Sequence, residues 1–510
     1  MIVLAALAAA QNFGRYLSDW YWIVEDAQQH IAWTYRLRDP SLFPGDALMD
    51  FFAAMAPIGY RSLFALVAPV VDPLLFSKCL PVILFGLTLI FMWKLGSALE
   101  QRWGGVVAAV LTLELASSFK GGFPRSFALA VLVPHLYFLV TRRYAAATVM
   151  LPLEAGFYPQ LLFVGAGTHA ATLLRDLAAA PSGPSWLDRL RGARRPLALL
   201  LGGLAVSALF LGAAYGRRPA NLGPILTAAE ARQLPEFQRG GRSYFFDPRP
   251  VRFWIRNQRA GLGWSSRLRT LAVASLVFVL VLGRRVGRTP RILFDTLCVS
   301  IVLFGLAHLT LFRMHLPNRY VSYTVPLVLT LFLAVHARAV VDAVAARWSW
   351  VAWARAGLGR RPAVGALLLI LIVLGNAVQM AANKPNRVDP SWVELSASLA
   401  GLPKDVLIAG EGPALSGVPL FARRSIYEHP ELSLPYFQTF REEMLRRRAA
   451  VHAAINAEAP ETLAAFCRAS GVTHLLIDRA HPLPRVTPWL ADRAVFQNRR
   501  FLVAPCPTQP

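Results

Sequence analysis

The chain has 510 residues, of which 55% are hydrophobic and 16% charged, with a mean hydropathy of +0.44. That apolar share exceeds what a soluble domain carries, and many runs reach the roughly 20 residues a membrane crossing needs, so a soluble globular protein is excluded. The net charge of +24 would suggest nucleic acid in a soluble chain; in a polytopic membrane protein, basic cytoplasmic loops and anionic lipid account for it, and no nucleic-acid partner is expected.

Starting at the N-terminus, MIVLAALAAA lacks the positive region of a cleavable signal. It reads as the stub of a first membrane helix near 1–15, with the true start expected upstream. Further spans are expected near 77–98, 104–119, 124–141, 143–155, 157–174, 196–215, 269–283, 291–312, 319–337 and 363–382. The stretch from Tyr60 to Phe76 is broken by Pro69, Asp72 and Pro73 and reads as interfacial. The expected architecture is mostly α: a polytopic membrane body of about eleven helices over residues 1–382.

Three short loops carry the arginines that mark the cytoplasmic side. They hold Arg175, Arg189, Arg191, Arg194 and Arg195; Arg284, Arg285, Arg288 and Arg291; and Arg338, Arg347, Arg355, Arg360 and Arg361. The span count puts all three on one face. The same parity sends to the outer face residues 16–76, the connection around Lys120-Gly121-Gly122, the loop 216–268 and the turn His315–Arg319. Loop 216–268 is itself rich in arginine, which strains the rule. Long loops cross largely regardless of charge, and the excess can serve an anionic ligand.

Beyond Asn383 the apolar runs stop. DVLIAG (405–410), VTHLLID (472–478) and RRFLVA (499–504) read as strands, and Glu431–Asn456 as a helix. Residues 383–510 are therefore expected to form a small extracytoplasmic α/β domain. Cys79, Cys298, Cys467 and Cys506 form no CxxC, so no zinc or thioredoxin-like site is suggested. Cys467 and Cys506 can pair if their domain lies outside the cytoplasm. There is no P-loop, GxSxG, HExxH or GxGxxG in the right context, which speaks against a nucleotide-driven pump.

Four constellations carry candidate chemistry. Glu25 and Asp26 lie just after the aromatic cluster Trp20-Tyr21-Trp22, with His30 and Trp33 four and seven positions beyond Asp26. In a helix these three share a face, and a carboxylate in a partly dry cleft can act as general base; the plain alternative is a solvated loop. Arg125, in Gly121-Gly122-Phe123-Pro124-Arg125, opens a span at the outer face, where a helix N-terminus plus guanidinium suits an anion; the alternative is a snorkelling side chain. Glu154 lies between Pro152 and Pro159, which are expected to release the chain from helical geometry so that Glu154 faces a polar cavity; the alternative is a re-entrant turn. The short outer turn Arg313–Tyr320 brings Arg319 and Tyr320 to the depth of a lipid phosphate, and Arg319 is the preferred bidentate ligand; the alternative is interfacial anchoring. Glu114, Asp295, Asp72 and Lys78 receive no role.

An acidic pair in the first outer loop, a multispan body, a late outer-loop arginine and a C-terminal α/β domain together resemble the GT-C glycosyltransferase superfamily. That superfamily includes protein O-mannosyltransferases, aminoarabinose transferases and oligosaccharyltransferases. EDAQQHIAW, RDPSLFPGDALMDFF, GGFPRS and LPNRYVSY are similar to segments of uncharacterised bacterial relatives. A WWDYG-like oligosaccharyltransferase motif is lacking.

The resemblance implies a bacterial plasma-membrane enzyme that takes a sugar from a polyprenyl phosphate or diphosphate and transfers it, at the outer face, to a glycan, lipid or protein. It places Asp26, with Glu25, at the acidic motif, and Arg319 loosely at the phosphate-binding position. His30, Arg125, Glu154 and Tyr320 complete the expected substrate site. A divalent metal, Mg or Mn, bridging carboxylates and phosphate is compatible with this scheme. The rival functions are a transporter or flippase of a lipid-linked or anionic solute and a non-catalytic assembly protein.

Overall fold

The computed structural model describes residues 13–14, 16–23, 25–179, 186–216, 219–346, 389–481 and 484–507. The expected spans at 363–382 and over most of 1–15 lie outside the described residues, as do most of the arginines of the loop from Arg338 to Arg361. The membrane body contains α1 (Glu25–Ile31), α2 (Ala47–Met55), α3 (Ile58–Val67), α4 (Pro73–Leu111), α5 (Ala128–Val140), α6 (Tyr144–Phe157), α7 (Pro159–Ala178), α8 (Trp186–Tyr215), α9 (Ser266–Leu282), α10 (Arg291–Leu309) and α11 (Thr324–Ala345). The fold is mostly helical and multispan, with one small sheet at the C-terminal end.

Local chemistry sets several helix starts. Asp46 caps α2 by accepting from the amides of Leu48 and Met49 at 2.9 and 3.1 Å. Asp72 caps α4 by accepting from Leu74 N at 2.9 Å, with Pro73 at the first helical position. Helix α4 breaks at Glu100 and Gln101, where the backbone leaves helical geometry, and together with the 3-10 helix Thr112–Phe119 that follows it covers the two expected spans 77–98 and 104–119. The two arms pack closely: a Cβ on Gly96 would meet the Gly104 carbonyl at 2.4 Å, so a side chain there would force them apart.

Among the described residues, four helical stretches are long and apolar enough to cross a bilayer. They are Pro73–Phe119, Arg191–Tyr215, Arg291–Leu309 and Pro317–Val344, and α2 with α3, bent by 112°, add a fifth if counted as one span. The other expected spans appear as α5, α6, α7 and α9, of 13, 14, 20 and 17 residues.

The C-terminal segment adds α12 (Pro390–Ala400), α13 (Gln438–Ile455), α14 (Pro460–Ser470) and strands β1 (Leu407–Glu411), β2 (Ser425–Ile426), β3 (His474–Asp478), β4 (Phe496–Gln497) and β5 (Phe501–Pro505). The sheet order is β2-β1-β3-β5-β4, with β1 parallel to β2 and β3, and β5 antiparallel to β3 and β4. The three expected strands are β1, β3 and β5; β2 and β4 are two-residue edges too short to register as a pattern. The expected helix Glu431–Asn456 begins only at Gln438, because Pro435 cannot continue a helix. Cys467 and Cys506 form a disulfide.

This segment docks on residues 35–72. Phe440 stacks on Phe51 with ring centroids 4.3 Å apart. Arg423 pairs with Asp72 at 3.0 Å and covers the Tyr35 ring, and Lys404 pairs with Asp39 at 2.6 Å. Loop 219–265 joins the same contact, with Leu226 N donating to Tyr436 O at 3.1 Å and Gln438 N to Pro224 O at 2.9 Å.

Candidate active site

Where these segments converge lies a cavity of about 1150 Å³. Asp26 and His30 of α1 line it, with Arg125, Tyr158, Arg319 and Tyr320. Each is set by a distinct local device. Lys78, 1% exposed, donates to the carbonyls of Tyr16, Asp19 and Trp22 at 2.9, 2.7 and 2.8 Å, and so fixes the chain as it enters α1. A buried ammonium needs such partners.

Arg125 sits in a one-turn 3-10 helix after two glycines with φ of 104° and 59°. A Cβ on Gly122 would meet the Ser77 carbonyl at 2.1 Å, so both the left-handed backbone and the close approach require glycine. Arg319 lies in the turn Pro317–Tyr320. Asn318 ties that turn to loop 219–265 through the carbonyls of Arg259 and Gly261, at 3.2 and 3.1 Å, and the Tyr320 hydroxyl donates to Met314 O at 3.0 Å.

Asp26 Oδ2 and an Arg125 terminal nitrogen form an ion pair at 2.5 Å. Arg125 also lies 4.5 Å over the Phe123 ring, which stacks on His30 with centroids 5.5 Å apart. Burial alone would raise the Asp26 carboxyl, but Arg125, then His30 and Arg319, outweigh it, and Asp26 lies below the ordinary carboxylate value. Burial, with the two arginines, lowers His30 to about 4 against the pull of Asp26. The chemical result is an ionised carboxylate beside a neutral imidazole.

Eight arginines line the cavity: Arg125, Arg239, Arg242, Arg252, Arg256, Arg259, Arg313 and Arg319. They face three carboxylates, Asp26, Asp247 and Glu431. Five of the eight belong to loop 216–268, whose arginine density was the sequence signal for them, although none was singled out individually. Glu431, Tyr436 and Phe437 come from the C-terminal segment. Glu431 accepts from Arg242 at 2.7 Å and, through its backbone carbonyl, from Gln29 at 2.8 Å, so one residue joins α1, loop 219–265 and the C-terminal segment.

Glu154 is not brought into this cavity. Helix α6 runs on through Pro152 to Phe157, so the carboxylate stays fully buried among helices and accepts from His135 at 2.9 Å. Tyr158, four residues later, reaches the cavity instead, and its hydroxyl has no hydrogen-bond partner among the described residues. The side chain of Glu25 lies outside the described ones.

A divalent metal does not fit the described donor set. Asp26 is held by Arg125 and Glu431 by Arg242, while Asp247 accepts from the Tyr244 hydroxyl and from Arg249 N. Among the described residues no group of three or more ligating side chains could hold a metal ion.

No family model matches the chain, and no curated protein matches it in sequence. Solved structures do match. ArnT from Cupriavidus metallidurans in the apo state is 13% identical with a TM-score of 0.55, covering 99% of this chain and 97% of that one. The same protein bound to undecaprenyl phosphate is 13% identical with a TM-score of 0.53, covering 100% and 98%. The chain shares the fold of these ArnT structures. A weaker likeness, from which nothing is drawn, is to the Archaeoglobus fulgidus oligosaccharyltransferase solved with Zn and sulfate, 11% identical with a TM-score of 0.46 over 94% of this chain and 67% of that one. On this fold the arginine-lined cavity is lined by α1, loop 219–265 and the C-terminal segment together.

Proposed function

We propose that this chain is a multi-pass glycosyltransferase of the bacterial plasma membrane. It moves a sugar from a polyprenyl phosphate or diphosphate to an acceptor at the extracytoplasmic face. The carrying observation is the pairing of an ionised Asp26 with Arg125 inside a cavity that also holds Arg319. The undecaprenyl phosphate bound by the similar ArnT supports a lipid phosphate as ligand.

In the reaction Asp26 removes the proton from an acceptor hydroxyl. The oxygen attacks the anomeric carbon, and the bond from that carbon to the phosphate oxygen breaks with inversion. The released polyprenyl phosphate carries away the electron pair, and Arg319, with Arg125, offsets its charge. Arg125 contacts Asp26 in the free protein and exchanges it for phosphate when the donor arrives, which frees the carboxylate. Tyr320 holds the Arg319 turn, and His30, neutral, adds no competing charge. Residues 383–510 act as the domain that roofs the cavity. The disulfide between Cys467 and Cys506 supports its extracytoplasmic placement, because disulfides persist in oxidising compartments.

The test uses the full chain in proteoliposomes with a panel of polyprenyl-phosphate sugars and membrane acceptors, scored by labelled sugar transferred. Activity that Asp26→Asn abolishes supports the reading. Uptake or flipping of the lipid-linked sugar with no new glycosidic bond, or activity untouched by the variant, overturns it.

A further inference from the structure

The cavity holds more positive charge than a sugar donor needs. Its eight arginines exceed its three carboxylates by five. A lipid phosphodiester brings about one negative charge and a diphosphate diester about two, so a surplus remains with either donor bound. The surplus is not spread evenly. Arg125 and Arg319 stand at Asp26, whereas Arg239, Arg252 and Arg256 stand on loop 216–268 and Arg313 on the outer turn. Arg242 is neutralised by Glu431, and Arg252 feels Asp247. Arg256 and Arg313 are exposed and form no ion pair among the described residues.

A wall of unmatched guanidiniums at a cavity mouth repels itself unless an anion completes it. We propose that loop 216–268 and Arg313 form an acceptor subsite, and that the acceptor carries a phosphate or carboxylate beside the hydroxyl that is glycosylated. This rests on the transferase reading and adds the acceptor's chemical class to it. Guanidinium forks match both anions in bidentate fashion. The other source of the same chemistry is the second phosphate of a diphosphate donor.

The test is binding to the full chain in detergent. The protein is first saturated with undecaprenyl phosphate, then titrated with glucose 6-phosphate, glucuronate or glucose. The expected result is that the two anionic sugars bind and glucose does not. Arg256→Gln combined with Arg313→Gln, both exposed and so tolerated by the fold, should weaken the anionic probes roughly tenfold and leave undecaprenyl phosphate binding unchanged. Should that variant instead erase a preference for undecaprenyl diphosphate over monophosphate, the arginines serve the donor and the proposal falls. It falls also if the variant alters no binding. Arg319→Gln reports separately: undecaprenyl phosphate binding that survives it counts against the transferase reading, whatever the anionic sugars do.

Discussion

Asp26 of α1 and Arg125 of the turn before α5 meet at 2.5 Å. The contact joins two segments that share no secondary structure, so neither residue alone defines the site. On the proposed function a base and the cation that restrains it are held as one unit, which has direct consequences for rate and pH.

Replacing Asp26 by Asn should lower transfer by roughly a hundred- to ten-thousand-fold, the range for loss of a general base. The side chain is 39% exposed, so folding should be little affected. Transfer assays run beside thermal melts check both points; a fall in activity matched by unfolding would count against catalysis.

Arg319→Lys keeps the charge and loses the planar fork, and Arg319→Ala loses both. Undecaprenyl phosphate affinity should fall in the order Arg, Lys, Ala, by roughly tenfold for the first step. Equal affinity for Lys and Arg would show that Arg319 acts only as a point charge.

The pH profile follows from the protonation states. Asp26 is depressed, so its ionised form is complete above the usual carboxylate range near about 4 and is lost only as pH falls below it. His30, lowered to about 4, stays neutral at pH 7. Donor turnover should therefore be flat from pH 7 to about 5, with no limb near the ordinary histidine value. Arg125→Gln removes the main opposing charge and should move the acid limb upward. A steep loss at pH 6 to 7 in the unaltered protein would contradict this assignment.

The disulfide offers a topological check. The loop it closes spans 39 residues, which in the chain-entropy account is worth about 4 kcal/mol. Reduction should make residues 389–507 more sensitive to protease. In intact cells Cys467 and Cys506 should resist maleimide until an external reductant is added. Labelling without reductant by a membrane-permeant maleimide, but not by an impermeant one, would place them on the cytoplasmic side.

Much of the frame is legible in the sequence because hydropathy and charge act locally. The longer body helices and β1, β3 and β5 are legible, and Asp26, His30, Arg125, Arg319 and Tyr320 line one cavity, whereas α2 within residues 16–76 is not read from the sequence. Glu154 was misplaced because proline does not always end a membrane helix: α6 passes through Pro152 unbroken. The start of α13 was set too early because Pro435 was not weighed. Asp72 and Lys78 were given no role, since caps and carbonyl clamps depend on partners far away in sequence. The arginines of loop 216–268 showed only as a density, because nothing local says which guanidiniums face inward.

Glu431, joined to Gln29 and Arg242, has a bearing on biosynthesis. Glu431, Tyr436 and Phe437 follow α1 to α11 in the chain, so a nascent chain in which those helices have formed still has an open pocket. On the proposed function, transfer can begin only once that segment is seated, and chains stalled before that point should be inert.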